Sequence, residues 1–471
     1  MNIQRLLLLR VNSGIDVAPP PLGLMYVASY IRDRRRDIDI KILDGRCKGL
    51  SMEQINSIIS DYRPDILGIT SMHVEAENVH AQAKSAKRIL PQIKIIIGGP
   101  YACADYQKAL EDSAIDFAVV GEGEEVMDEL IGAFDENQQI SGIKGLAHKK
   151  DGKVIFNGPR DFIKDLDSLP LPAWDLINLD DYFYGKKRPL ENPLQVHKKA
   201  VAVFSSRGCP YQCTYCHNIF GKRFRARSAE NVVAEIELLK NKYGIKEIEF
   251  LDDSFNIDKA RAHRIFDLII HKKLDIKICF SNGIRIDRID EELLDKMRRS
   301  GVYRVNYGIE SASKRIQAVM KKNLNIEIAN NVINKTIKKG ILSGGFFMMG
   351  FPTETEQEVM ETIGFAARSK LHTAVFAIVT PFPSTEMYAD AVSAGNIPSG
   401  DFSTVQKVTI NLSNVPYRRL EELRFYAYRR FYMNPARALR IFFAAPSKIP
   451  VFKNFIEVVR VAFFKKVLYG S

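Results

Sequence analysis

Short apolar runs alternate with amphipathic helical stretches, and this alternation most constrains the fold of the chain. Five apolar runs come first, at residues 6–11, 38–43, 66–70, 93–97 and 117–120. Each run is followed by a stretch with helical periodicity, and such alternation specifies a parallel sheet with helices on both faces. We predict an α/β, doubly wound, Rossmann-like domain over residues 1–140.

The carboxyl ends of these predicted strands carry small residues. Ligands of doubly wound sheets bind beyond this edge, where small side chains allow the backbone to approach a flat ligand. No G-x-G-x-x-G follows the first strand, so a dinucleotide is not expected. The glycines are also typical of ordinary tight turns. The candidate ligand-binding residues are Ser71, Met72, Gly98, Gly99, Gly121 and Gly123.

The next segment, residues 141–195, is predicted to be a hairpin and a linker. Asp151-Gly152 lies between two short apolar runs within residues 142–158, a pattern typical of a β-hairpin. Residues 161–193 are rich in Pro and Asp and contain Trp174. We interpret them as an interdomain linker packed over the surface.

Six strand–helix units follow within residues 196–395. Parallel units joined by short loops predict a partial (β/α)6 barrel of the TIM type. Active residues of such barrels lie at the carboxyl ends of the strands. The predicted strands are residues 201–205, 247–251, 276–280, 303–309, 341–348 and 374–379.

A cysteine-rich loop follows the first barrel strand. Cys209, Cys213 and Cys216 have the spacing C-x3-C-x2-C. Three thiolates on one loop can hold a 4Fe–4S cluster and leave one iron without a protein ligand. A zinc site would need a fourth ligand such as His217, and the C-x-x-C-H pattern also matches c-type haem attachment. Three buried structural thiols are a further alternative. We predict a cluster, with the other cysteines, Cys47, Cys103 and Cys279, dispensable.

The cysteine loop and the six units after it resemble the radical S-adenosylmethionine (radical SAM) superfamily. The doubly wound domain before them is similar to the cobalamin-binding domain of its cobalamin-dependent branch, so the resemblance covers residues 1–395. It implies that the open iron chelates the amino and carboxylate groups of SAM. It further implies reductive cleavage of SAM to a 5′-deoxyadenosyl radical, with cobalamin as methyl donor or redox partner.

The same resemblance implies contacts to SAM at the strand ends. Tyr215 would lie near the adenine, Asp253 would receive the methionine ammonium, and Glu310 would contact the ribose. The guanidinium of Arg285 suits the methionine carboxylate. An Asp-Asp pair could instead cap the helix that follows it. The predicted SAM-binding residues are Tyr215, Asp252, Asp253, Ser281, Asn282, Arg285 and Glu310.

The first domain departs from one pattern of cobalamin proteins. No Asp-x-His-x-x-Gly occurs, so cobalamin with a histidine as its lower ligand is not expected. His73 follows the third strand and could approach cobalt, although a solvated loop histidine is the interpretation we favour. The missing motif also leaves open a domain that persists without its cofactor.

These observations lead to one functional hypothesis and two alternatives. We expect an enzyme that abstracts hydrogen from an unactivated carbon of an apolar substrate, of the isoprenoid lipid or porphyrin class, and completes a methylation, cyclisation or rearrangement. An external one-electron reductant such as flavodoxin or ferredoxin would supply the electron. The alternatives are a radical SAM enzyme with a vestigial cobalamin domain and a cobalamin- or redox-sensing iron–sulfur protein.

The last region, residues 396–471, is predicted to be helical, basic and aromatic. Between residues 417 and 471, twelve Arg or Lys stand against three Glu, which accounts for most of the net charge of +12. The rest of the chain is nearly balanced, which argues against a nucleic-acid partner. Thirteen aromatic residues in the same stretch are typical of an amphipathic helix at an anionic membrane, or of a cap that closes the open barrel. No apolar run is long enough to span a bilayer, and the N-terminus does not resemble a signal peptide. We therefore expect a cytoplasmic protein with peripheral contact at the inner membrane surface.

Overall fold

The computed structural model describes residues 2–217, 219–396 and 410–448. The chain divides into two compact units, one built mainly from Met1–Pro189 and the other mainly from residues after 189. Each unit contains a parallel sheet with helices packed against it. The predicted α/β fold class is thereby confirmed.

The first unit is a seven-stranded sheet in the order β2-β1-β3-β4-β5-β6-β7, and its first five strands are parallel. The predicted hairpin is β6–β7, which extends this same sheet with two antiparallel strands. The strands are β1 (Arg5–Arg10), β2 (Asp39–Asp44), β3 (Ile66–Thr70), β4 (Lys94–Gly98), β5 (Phe117–Val119), β6 (Leu146–Lys150) and β7 (Lys153–Phe156). The helices are α1 (Leu22–Arg34), α2 (Gly45–Lys48), α3 (Met52–Tyr62), α4 (Ala76–Ile89), α5 (Pro100–Glu111), α6 (Gly123–Asp135) and α7 (Leu179–Tyr184).

The continuous apolar run of β1 reflects burial on both faces of this sheet. Leu6 and Leu8 belong to the core beneath α1 and α6, whereas Leu7 and Leu9 belong to the opposite core beneath α3, α4 and α5. Side chains alternate between the faces of a strand, so a strand covered on both sides needs an apolar residue at every position.

The predicted linker packs along α1. The hydroxyl of Ser29 donates to the carbonyl of Leu171 at 2.6 Å, and the amide of Ala173 donates to the carbonyl of Met25 at 3.2 Å. Trp174, the next residue, is almost fully buried. The two hydrogen bonds attach the linker to the first unit.

The second unit contains a six-stranded parallel sheet in the order β8-β11-β12-β13-β14-β15 and a short antiparallel pair, β9–β10. Consecutive strands are neighbours, with β8 and β15 at the open edges, as in the predicted partial barrel. The strands are β8 (Ala200–Val203), β9 (Ser206–Arg207), β10 (Arg225–Ala226), β11 (Glu247–Phe250), β12 (Lys277–Ile284), β13 (Val302–Glu310), β14 (Leu342–Met349) and β15 (Thr373–Ile378). The helices are α8 (Ala229–Tyr243), α9 (Lys259–His271), α10 (Glu291–Arg299), α11 (Lys314–Val319), α12 (Ile326–Lys338), α13 (Glu356–Arg368), α14 (Glu386–Ser393), α15 (Tyr417–Tyr432) and α16 (Pro435–Ala444).

Aromatic contacts identify the two faces of the barrel strands. Phe347 of β14 stacks on Phe376 of β15 at 5.3 Å and contacts Phe365 of α13, an outer helix. These phenylalanines therefore point outward. The alternation of side chains then places Phe346 and Val375 on the inner face of the barrel.

Helix α15 covers the open edge at β15. The hydroxyl of Tyr432 accepts from the amide of Ala374 and donates to its carbonyl, and Tyr428 does the same with Phe376. Four residues along a helix rise about 6 Å and two along a strand about 6.6 Å, so the tyrosines match successive free groups of the edge. The cap interpretation of the aromatic tail is thus confirmed for α15, whereas residues 449–471 lie outside the described chain.

A buried arginine fixes α16 to the same unit. Arg437 is 1% exposed, and its guanidinium donates to the carbonyls of Leu371, Ala367 and Ser369. It also lies over the ring of Phe431. The negative end of the α13 dipole and the freed carbonyls there are satisfied by this cation. In the described part of the chain, no helix is both long and apolar enough to cross a membrane.

Candidate cofactor sites at the carboxyl ends of two sheets

The cysteine loop begins where β8 ends and is held from several sides. Strand β9 pairs with β10 and closes the base of the loop. Gly208, with φ +80°, makes the turn into Cys209. The amide of Thr214 donates to the carbonyl of Met320 at 3.1 Å, and the carbonyl of Thr214 accepts from the amide of Met387 at 2.9 Å. These bonds hold the loop over the carboxyl ends of the barrel strands.

Cys209, Cys213 and Cys216 are free, partly buried and close enough to interact electrostatically. Burial raises the pKa of the Cys209 thiol and raises that of Cys216 to about 12. No three His, Cys, Asp or Glu side chains among the described residues are arranged to hold a metal ion. Three soft donors from one loop suit an iron–sulfur cluster, which is larger than an ion. The three thiols therefore fit the predicted cluster.

The two aspartates after β11 play different roles. Asp252 is 2% exposed, and its oxygens accept hydrogen bonds from the Ser205 amide at 2.7 Å and from the Ser205 and Ser206 hydroxyls. It therefore holds the strand end that leads into the cysteine loop. Asp253 accepts a hydrogen bond from the backbone of Gly208 and is partly exposed beside the loop, with its pKa raised by burial.

This difference bears on the predicted SAM contacts. The oxygens of Asp252 already have protein donors, so only the carboxylate of Asp253 is placed to receive an ammonium group. The alternative role of the pair as a helix cap is wrong, because Asp258 caps α9 by accepting from the amide of Arg261.

The residues predicted after β12 lie within or directly after this strand. Arg285 pairs with Asp287 through Nε at 2.8 Å and Nη2 at 2.7 Å, and its guanidinium lies 3.8 Å from the ring centroid of Tyr211 in the cysteine loop. Asn282 donates to the carbonyl of Leu251, which joins β12 to the end of β11. Ser281 is buried in the barrel wall. Of the three, the arginine contacts the cysteine loop.

Glu310 and Tyr215 are brought together by a lysine that sequence reasoning missed. The Nζ of Lys322 lies 2.9 Å from Oε1 of Glu310 and 3.3 Å from the hydroxyl of Tyr215. Glu310 has φ +65°, and the residues on either side of the lysine, Lys321 and Asn323, have φ +55° and +53°. Left-handed backbone at non-glycine residues is strained and clusters at functional sites. The sequence carries no glycine here that could have marked this turn.

Below this trio, the barrel presents a polar floor. Asn306 of β13 is nearly buried, and its Nδ2 donates to the carbonyl of Ser281 at 2.9 Å. Among the residues that the structure describes, its Oδ1 has no hydrogen-bond partner. A Cβ on Gly344 would lie 2.2 Å from this oxygen and 2.7 Å from the hydroxyl oxygen of Thr373. The glycine therefore leaves the space that this buried oxygen occupies.

The carboxyl edge of the first unit offers backbone and open space instead. A Cβ added at Gly98 or Gly121 would meet no atom of the described residues within 4 Å. Met72, after β3, is half-exposed. At Gly99, with φ +85°, a Cβ would lie 2.8 Å from the Thr70 hydroxyl oxygen, so this glycine is required by a close approach. An open edge of this kind fits a large flat macrocycle such as cobalamin.

The other residues predicted at this edge hold the edge itself. Ser71 is buried, its amide donates to the carbonyl of Gly98, and its hydroxyl donates to the carbonyl of Met72. Gly123 begins α6, where a Cβ would touch Val27 at 3.4 Å. Gly98, Gly121 and Met72 are thus the predicted residues with space above them.

His73 differs from the expected solvated histidine. Its ring packs edge-on against Tyr101 with centroids 5.2 Å apart, and burial lowers its pKa. The Tyr101 hydroxyl in turn lies 3.0 Å from Nε2 of His80, whose Nδ1 lies 2.8 Å from Asp112. This histidine is thus half-buried rather than fully solvated, because its ring packs against Tyr101.

Comparison with known proteins identifies both units. The family model of the radical SAM superfamily matches residues 203–366, and that of the B12 binding domain matches residues 11–131. Over 431 residues, 90% of each protein, the chain is 34% identical to an uncharacterized methyltransferase of Pyrococcus horikoshii. This chain belongs to the cobalamin-binding radical SAM family.

A further relative and one solved structure extend the comparison. The anaerobic magnesium-protoporphyrin IX monomethyl ester cyclase of Rubrivivax gelatinosus is 27% identical over 437 residues, which are 90% of this chain and 76% of that protein. The radical SAM methyltransferase TsrM of Kitasatospora setae, solved with tryptophan substrate and a SAM analog, has the same fold. Its TM-score is 0.71 at 18% identity, over 84% of this chain and 78% of that one.

Membership in the family establishes the cofactors and the class of activity. The cofactors are a 4Fe–4S cluster, SAM and cobalamin. The protein is a radical SAM enzyme of methyltransferase or cyclase type, so the alternative of a sensing protein without catalysis no longer applies. The cysteine loop would hold the cluster, the residues around Asp253 and Glu310 would hold SAM, and the open edge at Gly98 and Gly121 would hold cobalamin.

Proposed function

We propose that this enzyme methylates an unactivated carbon of a mostly apolar substrate that carries a hydrogen-bond donor. The observation that carries the proposal is the uneven inner face of the barrel. Its β14–β15 side presents apolar side chains, whereas its β13 strand carries Asn306, a buried amide whose Oδ1 has no hydrogen-bond partner among the described residues.

The apolar side is formed by half-buried residues of two neighbouring strands. Phe346 and Val375 are paired in register, as are Met348 and Ala377 one step further along. All four are partly exposed on the inner face. The ring of Phe346 reaches across to β12, within 3.5 Å of a Cβ built on Gly283. An apolar group against this wall gains from the removal of apolar surface from water.

The polar side orients such a substrate. The Ser281 carbonyl accepts a hydrogen bond, so the amide of Asn306 must turn its NH2 toward β12 and its Oδ1 toward the position that a Cβ of Gly344 would occupy on β14. A buried acceptor without a partner is costly. A substrate hydroxyl or N–H would satisfy it and would thereby fix which carbon faces the cofactors.

When bound, SAM and the cluster supply the 5′-deoxyadenosyl radical, and cobalamin supplies the methyl group. The chain's own residues would position the cofactors and the substrate and exclude water. The cysteine loop, fixed at Thr214, would keep the cluster over the barrel. Glu310, Lys322 and Tyr215 would orient SAM, and the apolar wall keeps water from the reacting carbon. We propose that a flavodoxin or ferredoxin delivers the electron.

Cyclisation is the second candidate function. The R. gelatinosus cyclase aligns over 90% of this chain, which supports a related bond change without methyl transfer. The two functions differ in the origin of the product's carbon atoms. Only methylation adds a carbon from SAM to the product.

Labelled SAM distinguishes the two. The anaerobically reconstituted enzyme, with cobalamin and a one-electron reductant, is incubated with methyl-deuterated SAM and with a metabolite extract from a strain that lacks the protein. We expect an extract component to gain a deuterated methyl group, as detected by mass spectrometry. A product that has fewer hydrogens than its precursor and carries no label would establish cyclisation and overturn methylation. The Cys209→Ala/Cys213→Ala/Cys216→Ala variant is the control without activity.

The polar floor is tested with Asn306→Leu, which has nearly the same shape and no acceptor. We expect the variant to bind the cluster and SAM as the parent enzyme does and to lose at least about ten-fold in product formation, because one buried hydrogen bond is lost. Asn306→Asp keeps the acceptor and should retain more activity than the leucine variant. Equal product formation by the leucine variant and the parent enzyme would refute the proposed orientation.

A further inference from the structure

The outer face of α16 is apolar and exposed, although the helix is firmly attached through its other face. Met433, between α15 and α16, is 62% exposed, and Leu439, Phe442 and Phe443 of α16 are 59%, 48% and 75% exposed. The last three lie at positions i, i+3 and i+4 and therefore share one face of the helix. The opposite face carries the buried Arg437. An exposed apolar face on a helix that is already attached through its other face indicates a missing partner.

This surface is also basic. Residues 423–448 contain six Arg or Lys and no Asp or Glu. Arg429 and Arg430 are exposed at the end of α15, and the Nζ of Lys448 lies 4.9 Å from the ring centroid of Phe442. Large apolar side chains beside cations, without acidic residues, match a surface with negative headgroups and an apolar interior.

We propose that the α16 surface, defined as Met433, Leu439, Phe442 and Phe443 with Arg429, Arg430 and Lys448, docks on an anionic lipid bilayer. The two phenylalanines enter the boundary between headgroups and acyl chains, and the cations contact the headgroups. Exposed apolar patches on soluble domains mark interaction sites of this kind. Docking does not depend on the proposed reaction, so each can be tested without the other.

The charges explain why a bilayer fits better than a second copy of the chain. Two copies that met through this surface would bring Arg429, Arg430 and Lys448 of each together, and like charges in an interface are unfavourable. An anionic bilayer supplies the opposite charge over its whole area. Single basic residues near such a surface contribute about five-fold each to binding.

Vesicle sedimentation of the full-length protein tests this proposal. The protein is mixed with vesicles of phosphatidylglycerol and phosphatidylcholine and, separately, of phosphatidylcholine alone, at low and high salt. We expect sedimentation with the anionic vesicles that decreases as salt rises, because exposed charges are screened. Absence of sedimentation at low salt, or equal sedimentation with both vesicle types, would overturn the proposal.

Matched variants locate the surface. Phe442→Ser/Phe443→Ser should reduce binding at least about ten-fold, as expected from the loss of two buried apolar side chains. The control, Ile328→Ser/Val392→Ser, removes two similarly exposed apolar residues elsewhere on the same unit and should bind like the parent protein. Unchanged sedimentation of the double phenylalanine variant would overturn the assignment to α16.

Charge variants and other occupants complete the test. Arg429→Gln/Arg430→Gln should weaken binding to anionic vesicles by about ten-fold or more, whereas Arg298→Gln/Arg299→Gln, an exposed pair on α10, should not.

A dimer that dissociates when Phe442 and Phe443 are replaced, with no vesicle binding, would make the surface a self-interface. Vesicle binding that appears only after deletion of residues 449–471 would identify that segment as the occupant. Either result would overturn docking by the α16 surface.

Discussion

The two parallel sheets of this molecule end in different chemistry. At the carboxyl edge of the first unit, glycines leave open backbone, and Met72 adds an exposed apolar side chain. At the carboxyl edge of the barrel, charged side chains gather around the cysteine loop, among them Asp253, Glu310 and Lys322. The same topological edge would thus accommodate a bulky ring in one unit and a charged ligand in the other.

The difference teaches how binding specificity is divided between shape and charge. A corrin ring is large and nearly flat, so a site for it mostly requires that no side chain stands in its place. The amino and carboxylate groups of SAM are small and charged, so a site for them requires groups of opposite charge with fixed directions. Substitutions should therefore act differently at the two edges, by filling space at one and by removing charge at the other.

The largest expected effect is the loss of the cluster. Replacing Cys209, Cys213 and Cys216 together with alanine should abolish bound iron, because the loop then offers no thiolate. Corrinoid binding should persist, since the glycine edge belongs to the other unit. Iron analysis, paramagnetic resonance and equilibrium dialysis with cobalamin measure both properties.

The control variants are Cys47→Ala and Cys279→Ala, which should keep a full cluster. Retention of iron by the triple variant would show that other residues hold the cluster. Simultaneous loss of corrinoid would show that the two edges are not independent.

The next effect sharpens the role of space at the first edge. Gly98→Leu adds a side chain where a Cβ meets no atom, so the fold should tolerate it. We expect corrinoid affinity to fall roughly ten- to hundred-fold, the cost of overpacking a contact. Gly142→Leu is the matched control, because a Cβ there also meets nothing.

Equilibrium dialysis with cobalamin measures both variants, and SAM binding serves as the second readout. If Gly98→Leu and Gly142→Leu bind corrinoid equally well, the ring does not lie over β4. Loss of SAM binding in Gly98→Leu would indicate a general folding defect.

A smaller effect is expected from the lysine between Glu310 and Tyr215. Glu310→Gln and Lys322→Met should each lower SAM affinity about ten-fold, as expected for one charge-assisted hydrogen bond. The cluster should remain intact. Lys321→Met is the matched control, because this lysine is half-exposed and pairs with Glu386 at the surface.

Titration calorimetry with SAM under anaerobic conditions provides the measurement. If Lys322→Met and Lys321→Met bind SAM with equal affinity, the buried Lys322–Glu310 ion pair does not contribute to SAM binding and has only a structural role in the barrel.

The smallest effect separates the two adjacent aspartates. Asp252→Ala leaves the buried amide of Ser205 without an acceptor and should lower the free energy of unfolding by about 1–3 kcal/mol. Asp253→Ala should change stability less and weaken SAM binding several-fold. Thermal unfolding and calorimetry compare the pair, and the reverse order of effects would exchange the two roles.

Much of this architecture follows from the sequence alone. The alternation of apolar runs and helical stretches predicted both parallel sheets, because buried parallel strands need apolar residues at consecutive positions and each crossover needs a helix. The cysteine spacing likewise predicted three ligands on one loop. Such features depend on residues that are neighbours along the chain, so a single sequence displays them.

The tertiary structure decided which of the polar residues at the strand ends remain available. Asp252 and Asp253 are adjacent in sequence, yet successive side chains point in different directions. Only the packing after the end of β8 shows that the oxygens of Asp252 already accept hydrogen bonds from Ser205 and Ser206. Lys322 reaches Glu310 through a left-handed turn that contains no glycine, so no local sequence pattern predicts this turn. The role of α15 as an edge cap also required the structure, because the helix and β15 meet through contacts between residues more than fifty positions apart. Contacts of that range depend on the whole fold, and a reading of neighbouring residues does not contain them.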